Sequence, residues 1–223
     1  MQLSNKQITQ NDLSILIHKD GFSFCTLNQH HFLPLEEKPP TAESLKSYLK
    51  YHQLDQEEVQ LIFMDQAAVC VPKPLFDPAQ TQNYLDGAIA LSKKASINHI
   101  ALPTLDMEVV YPCDQQAIDL FKGEFPQLKV THLCAALLPA LSDFSFGAAK
   151  KNLFLHLRKN YFDLLLFQGG QLLAQNTFPH KNADDFLYYL FYVTEQFFLK
   201  PEQFNLFFLG RYSNFNEYYQ VVE

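Results

Sequence analysis

Slid along itself by 140 positions, the chain matches: Leu13–Leu35 falls on Leu153–Gln175 without a gap. Apolar residues meet at Leu13/Leu153, Ile15/Leu155, Ile17/Leu157, Phe22/Phe162, Phe24/Leu164, Leu27/Phe167, Phe32/Leu172 and Leu33/Leu173. Turn signals coincide too, Asp20-Gly21 with Asn160-Tyr161 and the polar Asn28–His31 with Gln168–Gln171. Period-two apolar runs joined by short Gly- or Asn-containing turns form hairpins. Each half is therefore predicted to begin with a three-stranded meander. The match continues through a helix. Pro39-Pro40 stops the third strand and Thr41 can cap a helix carrying Leu45, Tyr48 and Leu49 at helical spacing. In the second half, Asn182 or Lys181 precedes a helix over about 183–199, and Glu43–Leu49 overlies Asp184–Leu190 at an offset of 141. A fourth strand closes each unit, Leu54–Asp65 lying over Leu199–Gly210 at an offset of 145. The expectation is an α/β fold with mixed sheets, built from a duplicated βββαβ unit.

Residues 1–150 are expected to form a first lobe and 151–223 a second, abbreviated at its C-terminus. Between the units, about 67–150 holds strand-like runs at Val69–Pro72, His99–Leu102, Glu108–Tyr111 and Leu128–His132. Helical stretches are predicted near Pro78–Lys93, Gln115–Glu124 and Cys134–Leu141, so this section completes the first lobe and inserts a small subdomain. Hydrophobic residues at 48% and charged residues at 18% can support such a core without a metal or disulfide.

A βββαβ unit is the core of the ribonuclease H-like fold, and two in tandem resemble the actin-like ATPase architecture with its two lobes. More closely, the chain resembles a Bacteroidetes family, domain of unknown function 3822, assigned an actin-like ATPase fold. The likeness rests on Val71-Pro72-Lys73-Pro74-Leu75-Phe76, on Asn176-Thr177-Phe178, on Asp184-Asp185-Phe186-Leu187-Tyr188-Tyr189 and on Leu206–Gly210. Actin-like ATPases hold Mg-ATP with an Asp and a Gly-rich loop at the first hairpin of each lobe. The equivalent places here read Ile17-His18-Lys19-Asp20-Gly21 and Leu157-Arg158-Lys159-Asn160-Tyr161. The strand-end acid has become His18 in one and Arg158 in the other. A unit charge ~5 Å from a divalent cation interacts by roughly 7 kcal/mol at an effective dielectric of ~20. Arg158 would reverse the sign of that interaction. The adenine-binding turn usually carries paired glycines, and only Gly210 stands here, followed by Arg211. The resemblance thus implies a degenerate nucleotide cleft at His18, Lys19, Asp20, Gly21, Asp65, Arg158, Lys159, Asn160 and Gly210, with hydrolysis lost and no cofactor or metal expected. The alternative is an ATP-binding or ATP-hydrolysing switch that uses non-standard residues such as Arg158, Lys159 and Asp65.

Other chemistry is thinly signalled. Asp65, with Asp20 and Asp163, could hold two metals as in ribonuclease H-like nucleases; the plainer reading is that Asp20 serves its turn, Asp163 sits on a solvated strand face and Asp65 caps the next segment. His30-His31 reads as a polar hairpin loop, and His132 with Cys134 as a nucleophile–base pair on paper only. The four cysteines are dispersed and form no CxxC pair. With a net charge of −7, nucleic acid is an unsuitable partner. The N-terminus, Met1–Gln7, has no apolar signal core and no apolar run reaches the ~20 residues that span a bilayer, so a cytoplasmic protein without a membrane span is expected.

The segment Leu153–Glu223 contains 19 of the 32 aromatic residues. On its helix, Phe186, Leu190, Val193 and Phe197 form one apolar stripe, widened by Leu187, Phe191 and Phe198. The opposite side presents Asp185, Tyr188, Tyr189, Tyr192 and Gln196. Exposed tyrosines bury area while keeping a polar tip, which suits protein contacts; burial of the helix inside the fold is the other reading. The expected function is a non-catalytic scaffold or interaction module that binds another protein or itself.

Overall fold

The computed structural model describes residues 12–35, 40–54, 56, 58–86, 88, 95–210 and 215–222. In chain order the first elements are β1 (Asp12–His18), β2 (Gly21–Cys25), β3 (His30–Pro34), α1 (Ala42–Tyr51) and β4 (Glu58–Phe63). Then come β5 (Val69–Pro72), α2 (Thr81–Leu85), β6 (Ser96–Leu102), β7 (Met107–Cys113), α3 (Gln115–Glu124), β8 (Lys129–His132) and α4 (Leu133–Ser145). The rest is β9 (Lys151–Leu157), β10 (Tyr161–Gln168), β11 (Gln171–Pro179), α5 (Ala183–Gln196), β12 (Phe204–Leu209) and α6 (Asn216–Gln220).

Two sheets share one topology. The first has strand order β3-β2-β1-β4-β8 and the second β11-β10-β9-β12, while β5-β7-β6 form a separate small sheet. In both large sheets the first three strands are antiparallel neighbours and the fourth returns parallel to the first through a helix. The chain divides into two compact units: Met1–Ala68 with Asp77–Ile100 and Val109–Ala136, and Val69–Phe76 with Ala101–Glu108 and Leu137–Glu223. In the first, Leu13, Ile15, Phe24, Leu45, Leu61 and Phe121 are fully buried, and Phe121 meets the rings of Phe22 and Phe24 at 5.1 and 6.2 Å. In the second, Leu155, Phe162, Leu164 and Phe186 are fully buried beside Leu190, Val193 and Tyr218.

The helices start and stop for local reasons. Thr41 caps α1, accepting from the Ser44 amide at 3.2 Å, and Asn182 caps α5, accepting from Asp185 at 2.9 Å. Both end in the same left-handed turn. Gln53 (φ 55) and Phe198 (φ 51) take the position usually given to glycine. The following amides close back on the helix, Leu54 on Leu49 and Leu199 on Thr194, each at an N–O distance of 2.8–2.9 Å.

The strand registers correct the gap-free self-match. Ile17 opposes Phe22 as Leu157 opposes Phe162, so the offset of 140 holds for the first two strands. In the third strand Phe22 opposes Leu33 whereas Phe162 opposes Phe178, an offset of 145. The β2–β3 hairpin turns at Thr26–Gln29, but β10 runs on to Gln168 and turns at Gly169-Gly170, with a register shift at Leu166/Phe167. His30 and His31 therefore lie in β3 and not in a loop. The offset of 145 holds at the helix ends (Leu54 and Leu199), yet Ile15 lies beside Leu61 as Leu155 lies beside Phe208, which makes it 147 for the fourth strand. A two-residue slip returns every side chain to its own face. Apolar pattern alone could not detect it. Of the helix expected over Pro78–Lys93, the structure has a 3-10 turn at Pro78–Gln80 and α2; residues 89–94 lie outside the described residues, as do Met1–Gln7, Pro39, Arg211 and Tyr212.

Candidate functional site

In the first unit, His18 ends β1, and its Nε2 is hydrogen-bonded to Ser23 Oγ across the hairpin at 2.8 Å. Burial pushes the imidazole below its usual pKa; nearby Asp20 opposes that shift and His30 adds to it. Lys19 and Asp20 form the exposed turn, and the Asp20 carbonyl accepts from the Leu35 amide at 2.8 Å. Gly21 is not a loop glycine but the first residue of β2. A Cβ there would collide with the Leu33 carbonyl oxygen and come within 2.6 Å of the Phe32 ring, so close approach of β3 is what excludes a side chain.

A cavity of about 820 Å³ opens at the C-terminal ends of β1 and β4, lined in part by His18, Lys19, Phe63, Asp65, Asp114 and Gln116. Ligands of open α/β sheets bind at such strand ends. The N-terminus of α3 meets this cavity, but two of its first-turn amides are already occupied. The Asp114 carboxylate accepts from Gln116 at 2.8 Å and from Ala117 at 3.4 Å, taking the place an anionic ligand would need. Asp65 and Asp114 make the lining more acidic than its Lys19 offsets.

The second hairpin repeats the cross-strand pairing with charge. Arg158 follows β9, and its Nη2 donates to Asp163 Oδ1 at 2.6 Å, at the spacing of His18 to Ser23. Thr177 Oγ1 donates to the same oxygen at 2.7 Å, and His156 Nδ1 lies 3.2 Å from Oδ2. Burial alone would raise the Asp163 pKa, but the bond from His156, the Arg158 charge and the Thr177 hydroxyl outweigh it and hold the carboxyl below its usual value. Asp163 is thus no solvated strand residue: its side chain is 17% exposed and that of Arg158 10%. Lys159 and Asn160 form the exposed turn. Gly210 (φ +101) follows β12, with the His156 ring 3.7 Å from where a Cβ would stand.

Sequence reasoning missed His180. It is buried, its Nε2 lies 2.8 Å from the Arg158 carbonyl and 3.2 Å from that of Tyr161, and its Nδ1 accepts from the Tyr218 hydroxyl at 2.9 Å. Its own amide donates to the Asn160 carbonyl at 3.0 Å, as that of Leu35 does to Asp20. One side chain therefore ties the second turn to α6. A His directly after a strand-ending Pro was the available signal.

The weaker candidates resolve into structure. His132 accepts from the Cys134 amide at Nδ1 (3.1 Å), and its Nε2 sits 3.0 Å from the Gln66 carbonyl, so neither nitrogen is placed as a base for the Cys134 thiol. The His31 ring lies 4.2 Å from that of His52, tilted by 42°. Among the described residues no group of three or more His, Cys, Asp or Glu side chains could hold a metal ion.

On α5 four of the five tyrosine-face residues separate. Tyr188 and Tyr192 are 66% and 49% exposed, whereas Tyr189 stacks on Phe178 at 4.7 Å and Asp185 accepts from the Lys181 amide at 3.0 Å. Phe191 and Phe198 join the exposed pair. Among the described residues no helix is long and apolar enough to cross a membrane.

A family described as "Protein of unknown function (DUF3822)" matches residues 1–223. The chain belongs to this family. No curated protein matches this DUF3822 chain. Among solved structures it is similar to a Bacteroides thetaiotaomicron protein with an actin-like ATPase fold and unknown function, at 19% identity and a TM-score of 0.80, covering 100% of this chain and 90% of that one. The DUF3822 chain therefore has the actin-like ATPase fold. Similarity is lower to a PilM-PilN type IV pilus biogenesis complex (12% identity, TM-score 0.42, covering 85% of this chain and 66% of that one). It is lower again to a Ppx/GppA family member from Aquifex aeolicus (10% identity, TM-score 0.38, 90% and 66%). Neither likeness carries an argument about this chain.

Proposed function

We infer that the protein is a non-catalytic actin-like scaffold that binds another protein, or a second copy of itself, through the outer face of α5. The observation that carries this reading is the occupation of both strand-end positions. Where metal-holding acids would stand, His18 and Arg158 are bonded into their own hairpins, to Ser23 and Asp163. The capping of α3 by Asp114 supports it, because a phosphate there would displace or repel a carboxylate. A second reading, a nucleotide-dependent switch using Lys19, Asp65, Arg158 and Lys159, draws on the 820 Å³ cavity, which is large enough for a nucleotide.

Thermal unfolding with millimolar Mg-ATP separates the two. A ligand at ~100 times its dissociation constant adds ~2.7 kcal/mol, or about 5–11 °C in melting temperature for a chain of this size. No shift is expected; a clear rise would overturn the scaffold reading.

The turn residue just past α5 is aromatic and exposed. Phe198 holds a left-handed conformation unfavourable for a bulky side chain while remaining 89% exposed. Tyr188, Phe191 and Tyr192 on α5 are exposed as well. Changing Tyr188 and Tyr192 to Ala is expected to abolish capture of the partner from the native cell while moving the melting temperature by less than about 2 °C, since exposed substitutions usually stay within ±0.5 kcal/mol. Capture that survives the double substitution would place the interface elsewhere.

A further inference from the structure

Strand β12 is paired to β9 on one side only; among the described residues no strand lies along its other edge. In the first sheet that position is filled. β8 runs parallel to β4 there, with Leu61 beside Val130 and Phe63 beside His132. An open edge presents a row of unpaired amides and carbonyls, and natural edges are usually blunted by charge, proline or a bulge. The other edges of the two large sheets follow that rule. β3 carries His30 and His31 and ends on Pro34; β8 carries Lys129; β11 carries Gln175 and Asn176, ends on Pro179 and has a register shift in its ladder. β12 reads Phe-Asn-Leu-Phe-Phe-Leu, with no charge, no proline and an unbroken register against β9. Its backbone is held extended by side chains on both faces. Phe207 stacks on Phe154 at 5.1 Å, and Leu206 and Phe208 pack against the core beneath α5.

We propose that the open edge of β12 pairs with β12 of a second copy, antiparallel about a two-fold axis, joining the two four-stranded sheets into one of eight strands. The strand suits itself. Centred on Phe207, the pairing sets Leu206 opposite Phe208 and Asn205 opposite Leu209, so no like charges meet despite the net charge of −7. A two-fold contact of this kind closes at a dimer and leaves no strand edge at the join. The pairing uses backbone at the sheet edge, not the α5 surface, so it goes beyond the proposed function and does not depend on it.

Sedimentation equilibrium of the full chain at micromolar concentration tests it. The wild type is expected to be dimeric. Asn205→Lys with Leu209→Lys puts lysine against lysine at both ends of the pairing and is expected to raise the dissociation constant at least about tenfold. Asn205→Lys with Leu209→Glu sets opposite charges face to face in the same register and is expected to restore dimerisation. Circular dichroism and melting of each variant verify folding. Amide exchange of wild-type Asn205–Leu209 gives a readout free of mutation: protection there should rise with protein concentration. A monomeric wild type, a lysine pair that stays dimeric, β12 exchange independent of concentration, or a dimer lost on changing Tyr188 and Tyr192 would each overturn the proposal.

Discussion

Replacing Asp163 by Ala is expected to cost about 3–5 kcal/mol of stability and to lower the melting temperature by about 6–20 °C. Asp163 accepts from Arg158 and Thr177, and His156 reaches its other oxygen. Removing the carboxylate takes an ion-pair partner and acceptor away from a guanidinium whose side chain is only 10% exposed. The penalty is mainly that of weakening the compensation of a buried charge, not the worth of one exposed ion pair. Arg158→Met with Asp163→Leu, which removes both charges and fills the space, should therefore recover most of the loss. Urea unfolding midpoints of the three proteins check the ordering; a single substitution as mild as the double one would show the pair to be well solvated. The same group predicts a pH dependence. Its folded pKa lies below the usual 3.8, so its contribution is fully present above that value. It falls away as acid takes the pH from there down through the folded pKa, and the Asp163→Ala variant should lack that part of the acid transition.

Phe186→Ala is expected to cost a similar 3–5 kcal/mol, by cavity formation instead of charge. Phe186 is fully buried on the inner face of α5, and its ring meets those of Phe162 at 5.0 Å, Tyr218 at 5.5 Å and Phe208 at 6.3 Å. It thus joins β10, α6 and β12, and no single neighbour can collapse into the space. Since whole domains are stable by only about 5–15 kcal/mol, the loss is a large share of the total. Tyr188, two residues away on the same helix and 66% exposed, is the internal control. Melting curves should separate the two substitutions by several degrees; equal effects would mean that the tyrosine face is packed as tightly as the core.

The two hairpin pairs illustrate how far residue pattern reaches. Placing His18 and Arg158 at equivalent strand ends needed only the apolar alternation of four strands and two turn signals, and the registers agree. What those side chains do there was not readable. A contact from residue 18 to 23 or from 158 to 163 depends on hairpin register, and the burial of Asp163 depends on Thr177 arriving from a third strand. His180 escaped notice because its partners, Arg158, Tyr161 and Tyr218, are distant in sequence and two of its bonds are to backbone carbonyls.

By itself, the order of residues determined the pattern of elements: three alternating strands, a capped helix and a fourth strand in each half. Period and capping are local properties, carried by neighbouring side chains and backbone. Only the tertiary structure decided which strands pair residue by residue, why Gly21 lacks a side chain, which α5 tyrosines stay outside and that β12 keeps one edge open. Those outcomes depend on how surfaces far apart in the chain meet, and a two-residue slip in a strand changes such meetings without altering the apolar pattern.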